Sequence, residues 1–261
     1  MRNVPIVAPR DTVSAAIEAA VRQGRPALVG FLTAGFPTRD GFRDNLAAVA
    51  GVCDVVEIGV PFSDPMADGT TIQRASFVAL AGGVTLPWIL EELASLKERH
   101  TAPILLMSYL NPLLKYGLDK LPGDAARAGV AGFIVPDLPY EESGELNTAL
   151  DGEGIALIQM VTPVTPQERL DMLCKSAQGF VYAVTMTGTT GKSAEVPDDV
   201  LAYMDRVKRC STVPVCAGFG IRSRDQVARF GSHVDGVVVG SALVEALERG
   251  DDVKAFLGSL R

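Results

Sequence analysis

From Pro26 onward, short apolar runs alternate with helix-patterned segments eight times over. The runs are Pro26–Thr33, the stretch around Glu57, Pro103–Tyr109, Ala131–Pro136, Ile155–Val161, Gly179–Thr185, Val213–Ala217 and Val234–Val239. Helical spacing of apolar residues fills the intervals, for example at 38–51, 71–81, 85–100, 140–150, 166–176 and 197–210. After the last two runs it returns at 223–230, 241–247 and 253–260. No two runs are joined by a hairpin turn, and continuous apolar strands each followed by a helix imply a parallel sheet buried on both faces. Eight such units in 261 residues fit a closed barrel better than an open doubly wound sheet, since such barrels take about 250 residues. The expectation is an α/β chain forming a single (β/α)8 (TIM) barrel domain over residues 1–261. An additional N-terminal helix at 11–23 precedes it, capped by Asp11 or Thr12 and stopped by Gly24.

The second run carries an anomaly. Glu57 interrupts Asp54-Val55-Val56-Glu57-Ile58-Gly59-Val60, and an ionised carboxylate is costly to bury unless paired or neutralised. Strand alternation puts Glu57 on one face with Val55 and Gly59, leaving open space beside the acid, and Val56 and Ile58 on the other. The following loop, Pro61-Phe62-Ser63-Asp64-Pro65-Met66-Ala67-Asp68-Gly69, brings a second carboxylate, Asp68. Two carboxylates in different surroundings are the raw material of acid–base catalysis. The residues alone leave the plainer reading open, with Glu57 on a wet edge and Asp68 as a turn former.

Composition narrows the classes. A net charge of −7 argues against nucleic acid or an anionic membrane as the main partner, so an anionic substrate would need backbone donors rather than a basic field. Cys53, Cys174, Cys210 and Cys216 form no CxxC, and His100 and His233 lie far apart, so neither a disulfide framework nor a His/Cys metal site is expected. No apolar run reaches the length of a membrane span, and Pro5, Pro9, Arg10 and Asp11 interrupt any leader-like stretch; a cytoplasmic protein is expected.

Three late loops place glycine after a strand. Thr187-Gly188-Thr189-Thr190-Gly191-Lys192-Ser193 imitates the end of a P-loop, but Met186 occupies the first glycine position and acidic residues follow in place of an immediate helix. It reads as a loop over a site or as a plain surface loop. Gly218-Phe219-Gly220-Ile221 lacks the last glycine of a dinucleotide fingerprint, and Gly240-Ser241-Ala242 opens a helix. In barrels the last two strand ends and a short helix N-terminus often hold phosphate through backbone amides. Taken together, the loops suggest a phosphate cup.

These motifs coincide with a known pattern. The segment from Glu57 to Gly69 closely resembles the signature of the tryptophan synthase α subunit family. Gly35-Phe36-Pro37, Tyr109-x-Asn111-Pro112, Val135-Pro136-Asp137-Leu138-Pro139 and the glycine loops extend the resemblance over nearly the whole chain. The resemblance implies a lyase that cleaves indole-3-glycerol phosphate to indole and glyceraldehyde 3-phosphate by a retro-aldol route. Glu57 matches the family's acid–base carboxylate and Asp68 the carboxylate that accepts the indole N–H. Gly191, Gly220, Gly240 and Ser241 match the phosphate cup, and Thr190 a residue that closes the site and orients the second carboxylate. Phe31, Tyr109, Tyr182 and Phe219 match positions around the substrate, and Asp137 a nearby loop position. No cofactor is implied in this chain; pyridoxal phosphate would belong to a β subunit, the partner in an αββα tetramer. A stand-alone indole-forming lyase would keep the same residues, and an idle phosphate-binding barrel would not require both acids. The chain departs from the family pattern at Thr70, Val78, Thr185 and Thr189.

Overall fold

The structure, a computed structural model, describes residues 7–96, 102–185, 196–218 and 220–261. Nine strands are formed among them: β1 (Ala27–Thr33), β2 (Val55–Gly59), β3 (Ile104–Met107), β4 (Val130–Ile134), β5 (Ala156–Leu157), β6 (Gln159–Val161), β7 (Val181–Val184), β8 (Val215–Gly218) and β9 (Gly236–Val239). Every pairing is parallel, in the order β5-β4-β3-β2-β1-β9-β8-β7-β6. The two ends of that order are consecutive in the chain, so the peptide at Ile158 closes the ring. This is the expected barrel with one strand divided.

The division corrects the reading of Ile155–Val161 as one strand. Ala156 and Leu157 pair with β4, the Ile158 N–H donates to the Phe133 carbonyl at 2.8 Å, and Gln159 to Val161 pair with β7. The strand changes partners midway, immediately before Gln159, the one polar residue of the run. A second irregularity lies in β4, where Ala131 is an extra residue between the partners of Ile104 and Leu105.

Alternation along the strands produces two apolar layers. Val29, Val55, Leu105, Ala156, Cys216 and Val238 fill the barrel, while Leu28, Val56, Ile58, Leu106, Phe133 and Val237 face the helices. Helix α1 (Pro9–Arg22) joins the inner layer, its Val13, Ile17 and Ala20 buried against the barrel interior. Hydrogen bonds from the Arg10 N–H to the Gly154 carbonyl (2.9 Å) and from Ser14 Oγ to the Gly179 carbonyl (2.6 Å) hold it there. Both acceptors precede strands, so α1 lies across the N-terminal end of the barrel. It starts earlier than expected, with Pro9 in the first turn and Ala8 rather than Asp11 or Thr12 at the cap; Asp11 instead faces the positive helix end.

The remaining helices alternate with the strands: α2 (Phe42–Ala50), α3 (Thr70–Ala81), α4 (Leu86–Leu96), α5 (Leu110–Tyr116), α6 (Leu121–Ala128), α7 (Gly144–Gly152), α8 (Gln167–Ser176), α9 (Asp198–Cys210), α10 (Arg224–Phe230), α11 (Ser241–Arg249) and α12 (Val253–Gly258). Asn111-Pro112 lies in the first turn of α5, where proline's missing N–H costs nothing. Thr38 and Thr165 do not sit at helix caps: α2 begins at Phe42 and α8 at Gln167. Thr38 Oγ1 instead accepts from the Gly41 N–H, and Thr165 Oγ1 from the Thr162 N–H. Ser223 does cap α10, in a reciprocal capping box with Gln226.

Candidate active site

Glu57 projects into the barrel near the C-terminal end of β2, level with Phe31 on β1 and Leu105 on β3. It is fully buried, and neither carboxylate oxygen has a hydrogen-bond partner. Burial, and then the negative charge of Asp68, pushes it up to about 8, so the acid is protonated at neutrality. The space expected beside it above Gly59 is occupied: a Cβ on Gly59 would stand 2.7 Å from Phe31 Cζ. Glycine is there to admit the Phe31 ring over the acid.

The loop after β2 sets Asp68 opposite. Tyr109 organises it: its ring stacks on Phe62 at 5.1 Å, and its hydroxyl accepts from the Ala67 N–H at 2.8 Å and hydrogen-bonds Asp68. From below, Gln73 Nε2 donates to the Asp68 carbonyl at 2.9 Å. Burial raises Asp68 to about 6, with the Tyr109 hydrogen bond pulling the other way, so this carboxylate is ionised at neutrality. The Tyr109 phenol, pushed up to about 12 by burial and by Asp68, keeps its proton. Thr70, where the resemblance leads one to expect proline, is the first residue of α3.

Tyr182 on β7 faces the same interior. Burial and the neighbouring Glu57 hold its phenol far above the ordinary range. Its ring packs on Gly218, where a Cβ would meet Tyr182 Cε1 at 2.5 Å. Thr185 Oγ1 donates to the Gly218 carbonyl at 3.2 Å, tying the ends of β7 and β8 together. Asp137, on the same cavity wall, accepts from the Leu110 N–H at 2.9 Å and so also holds the start of α5.

The end of the cavity where the sequence suggests a phosphate cup is rich in backbone donors. Gly220 has φ +71°, a conformation that disfavours any side chain, and the space where a Cβ would project is open. Gly240 precedes α11 and Ser241 begins it, so first-turn amides and the helix dipole face the same space. The two cations on the wall, Arg169 and Arg222, are paired with Glu141 and Glu245. Among the described residues, backbone amides and the Ser241 hydroxyl are the donors at this end that no carboxylate engages.

One cavity of 1390 Å³ at the C-terminal mouth is lined by Phe31, Glu57, Asp68, Asp137, Tyr182, Gly220, Gly240 and Ser241. Tyr109 stands behind Asp68 rather than on the wall. Gly191, Thr190 and Phe219 lie outside the described residues. The sequence reading passed over Arg222, Gln226 and Glu245. Gln226 was detectable from the Ser223-x-x-Gln226 spacing; its side chain accepts from the Arg222 N–H at 2.7 Å and shapes the loop after β8.

The family model described as tryptophan synthase alpha chain matches residues 17–257. Among similar proteins, the tryptophan synthase alpha chain of Solidesulfovibrio magneticus is 47% identical over 93% of this chain and 95% of its own length. That of Desulfovibrio desulfuricans is 47% identical over 92% and 96%. Tryptophan synthase from M. tuberculosis superposes with a TM-score of 0.86 at 34% identity, covering 95% of this chain and 96% of that one. The tryptophan synthase A-subunit of Pyrococcus furiosus gives 0.84 at 32% identity, over 91% and 98%. With a barrel of matching topology and this coverage, the chain belongs to the tryptophan synthase alpha chain family, lyases of tryptophan biosynthesis that cleave indole-3-glycerol phosphate.

Proposed function

We propose that Glu57 and Asp68 divide the acid–base work of indole-3-glycerol phosphate cleavage. The observation that carries this reading is two carboxylates in opposed surroundings on one cavity wall: Glu57 fully buried without a hydrogen-bond partner, which favours the protonated acid, and Asp68 hydrogen-bonded by Tyr109, which favours the ionised form. The amides at Gly220, Gly240 and Ser241, with Gly191, receive the phosphate, and the indole ring lies between Phe31 and Tyr182. Asp68 accepts the indole N–H and stabilises positive charge on the ring while Glu57 transfers its proton to C3. The ring then serves as electron sink. The bond from C3 to the glycerol chain breaks, its electron pair returns to the ring, and the adjacent hydroxyl gives its proton to the Glu57 carboxylate. Indole and glyceraldehyde 3-phosphate result, and Glu57 is again an acid. Every proton is accounted for between substrate and Glu57, so the step requires no cofactor from this chain.

The whole chain acts as one cytoplasmic barrel domain. It works as the α subunit of an αββα complex whose β subunit carries pyridoxal phosphate and consumes the indole. Indole release measured with and without β protein tests the assignment: strong activation by β supports the subunit, and fast turnover alone supports a free-standing lyase. In the same assay Glu57→Gln should abolish release while glycerol 3-phosphate still binds. Retained turnover would remove Glu57 from this role.

A further inference from the structure

The cup and the catalytic loop belong to different parts of the chain, yet one side chain hydrogen-bonds a near neighbour of each. Glu245 lies one turn beyond Ser241 on α11. Its carboxylate accepts from Arg222 Nη1 at 2.7 Å and Nη2 at 2.9 Å, and Arg222 stands two residues beyond Gly220. The same carboxylate accepts from Thr71 Oγ1 at 3.3 Å, and Thr71 stands three residues beyond Asp68 at the start of α3. Packing reinforces the link: Val244 is buried with Phe31, Phe36 and Ala75, the last on α3, and Ile72 Cδ1 lies 4.0 Å from where a Cβ on Gly240 would stand. One turn further along, Arg74 Nε donates to Glu248 at 3.0 Å, so α3 and α11 are fastened twice.

We propose that Glu245 is a positioning residue for the lyase reaction, fixing the spacing between Asp68 and the amides that hold the phosphate. The inference rests on the roles just given to Asp68 and the cup. A substrate anchored by its phosphate presents its ring nitrogen at a distance set by its own covalent length. Asp68 must meet it there, and a displacement of about 1 Å in such a contact can cost as much as about 100-fold in rate. Arg222 holds both oxygens of one carboxylate and Thr71 shares Oε1 with it, so the loop after β8 and the start of α3 are referred to a common point.

The test uses the full chain with its β subunit. It measures kcat for indole release and the affinity for glycerol 3-phosphate, which occupies the phosphate end alone. Glu245→Ala should lower kcat about tenfold and Thr71→Val about threefold, with the double variant no worse than Glu245→Ala, because Thr71 acts through Glu245. Glycerol 3-phosphate affinity should hold within about twofold, or tighten as a carboxylate near the cup is removed. Unchanged kcat in both single variants, or a double variant equal to the product of the singles, overturns the inference. So does a fall in glycerol 3-phosphate affinity that parallels kcat, which would mean a loosened cup. Thr71→Val keeps the question open to refutation should Glu245→Ala fold poorly. Wild-type enzyme that released no indole would strike the proposed function itself, not this positioning role.

Discussion

Replacing Glu57 by glutamine should change the pH dependence of stability in a direction that follows from burial alone. In the folded protein the acid is fully buried without a hydrogen-bond partner and titrates near 8; in the unfolded chain it returns to its ordinary 4.5. Between those values the native state keeps a proton that the unfolded state has released, so wild-type stability falls as pH rises from about 4.5 to about 8 and levels off above. The shift from 4.5 to about 8 corresponds, at about 1.4 kcal/mol per unit, to roughly 5 kcal/mol. Glutamine cannot titrate, so the difference between the two denaturation curves isolates this one position. Any constant offset from seating the amide drops out of the slope. Urea unfolding at half-unit intervals from pH 5 to 9 should show the variant gaining on the wild type steadily, by several kcal/mol in all. A difference that stays flat with pH would refute the reasoning, since it would mean that the carboxylate is paired or hydrated in the folded barrel.

Four further outcomes are expected. The pH profile of kcat/KM should be bell-shaped, with an acid limb near 6 from Asp68 and a basic limb near 8 from Glu57. Asp68→Asn should remove the acid limb and move the basic limb downward, because the charge that helps raise Glu57 is gone; a flat profile between pH 5 and 9 would contradict both assignments. Tyr109→Phe deletes the hydrogen bond that lowers Asp68, so the acid limb should move to higher pH in the same assay, and an unmoved limb would discount that bond. Gly218→Ala puts a methyl group 2.5 Å from Tyr182 Cε1, which should cost about 1–3 kcal/mol by urea unfolding and lower kcat as the ring is driven into the cavity.

What could be read in advance follows from how local each signal was. Glu57 announced itself because a carboxylate in a β-branched run violates the pattern around it, and eight apolar runs with helices between them leave few architectures. The break at Ile158 was not read because it depends on which neighbour each half of the strand pairs with; Gln159, the polar residue that opens the second half, was the one local mark of it. Gly59 was read correctly as room but not for whom, since Phe31 comes from another strand. The Glu245 contacts span 23 and 174 positions, so no spacing rule reaches them.

The helix laid across the barrel's N-terminal end settles a question of traffic. With Val13, Ile17 and Ala20 wedged beneath the inner layer, the molecule is a cup with a floor rather than a pipe. Among the described residues, then, the cavity that holds Glu57 and Asp68 is reached from the C-terminal mouth, and a protein seated on that mouth would cover it.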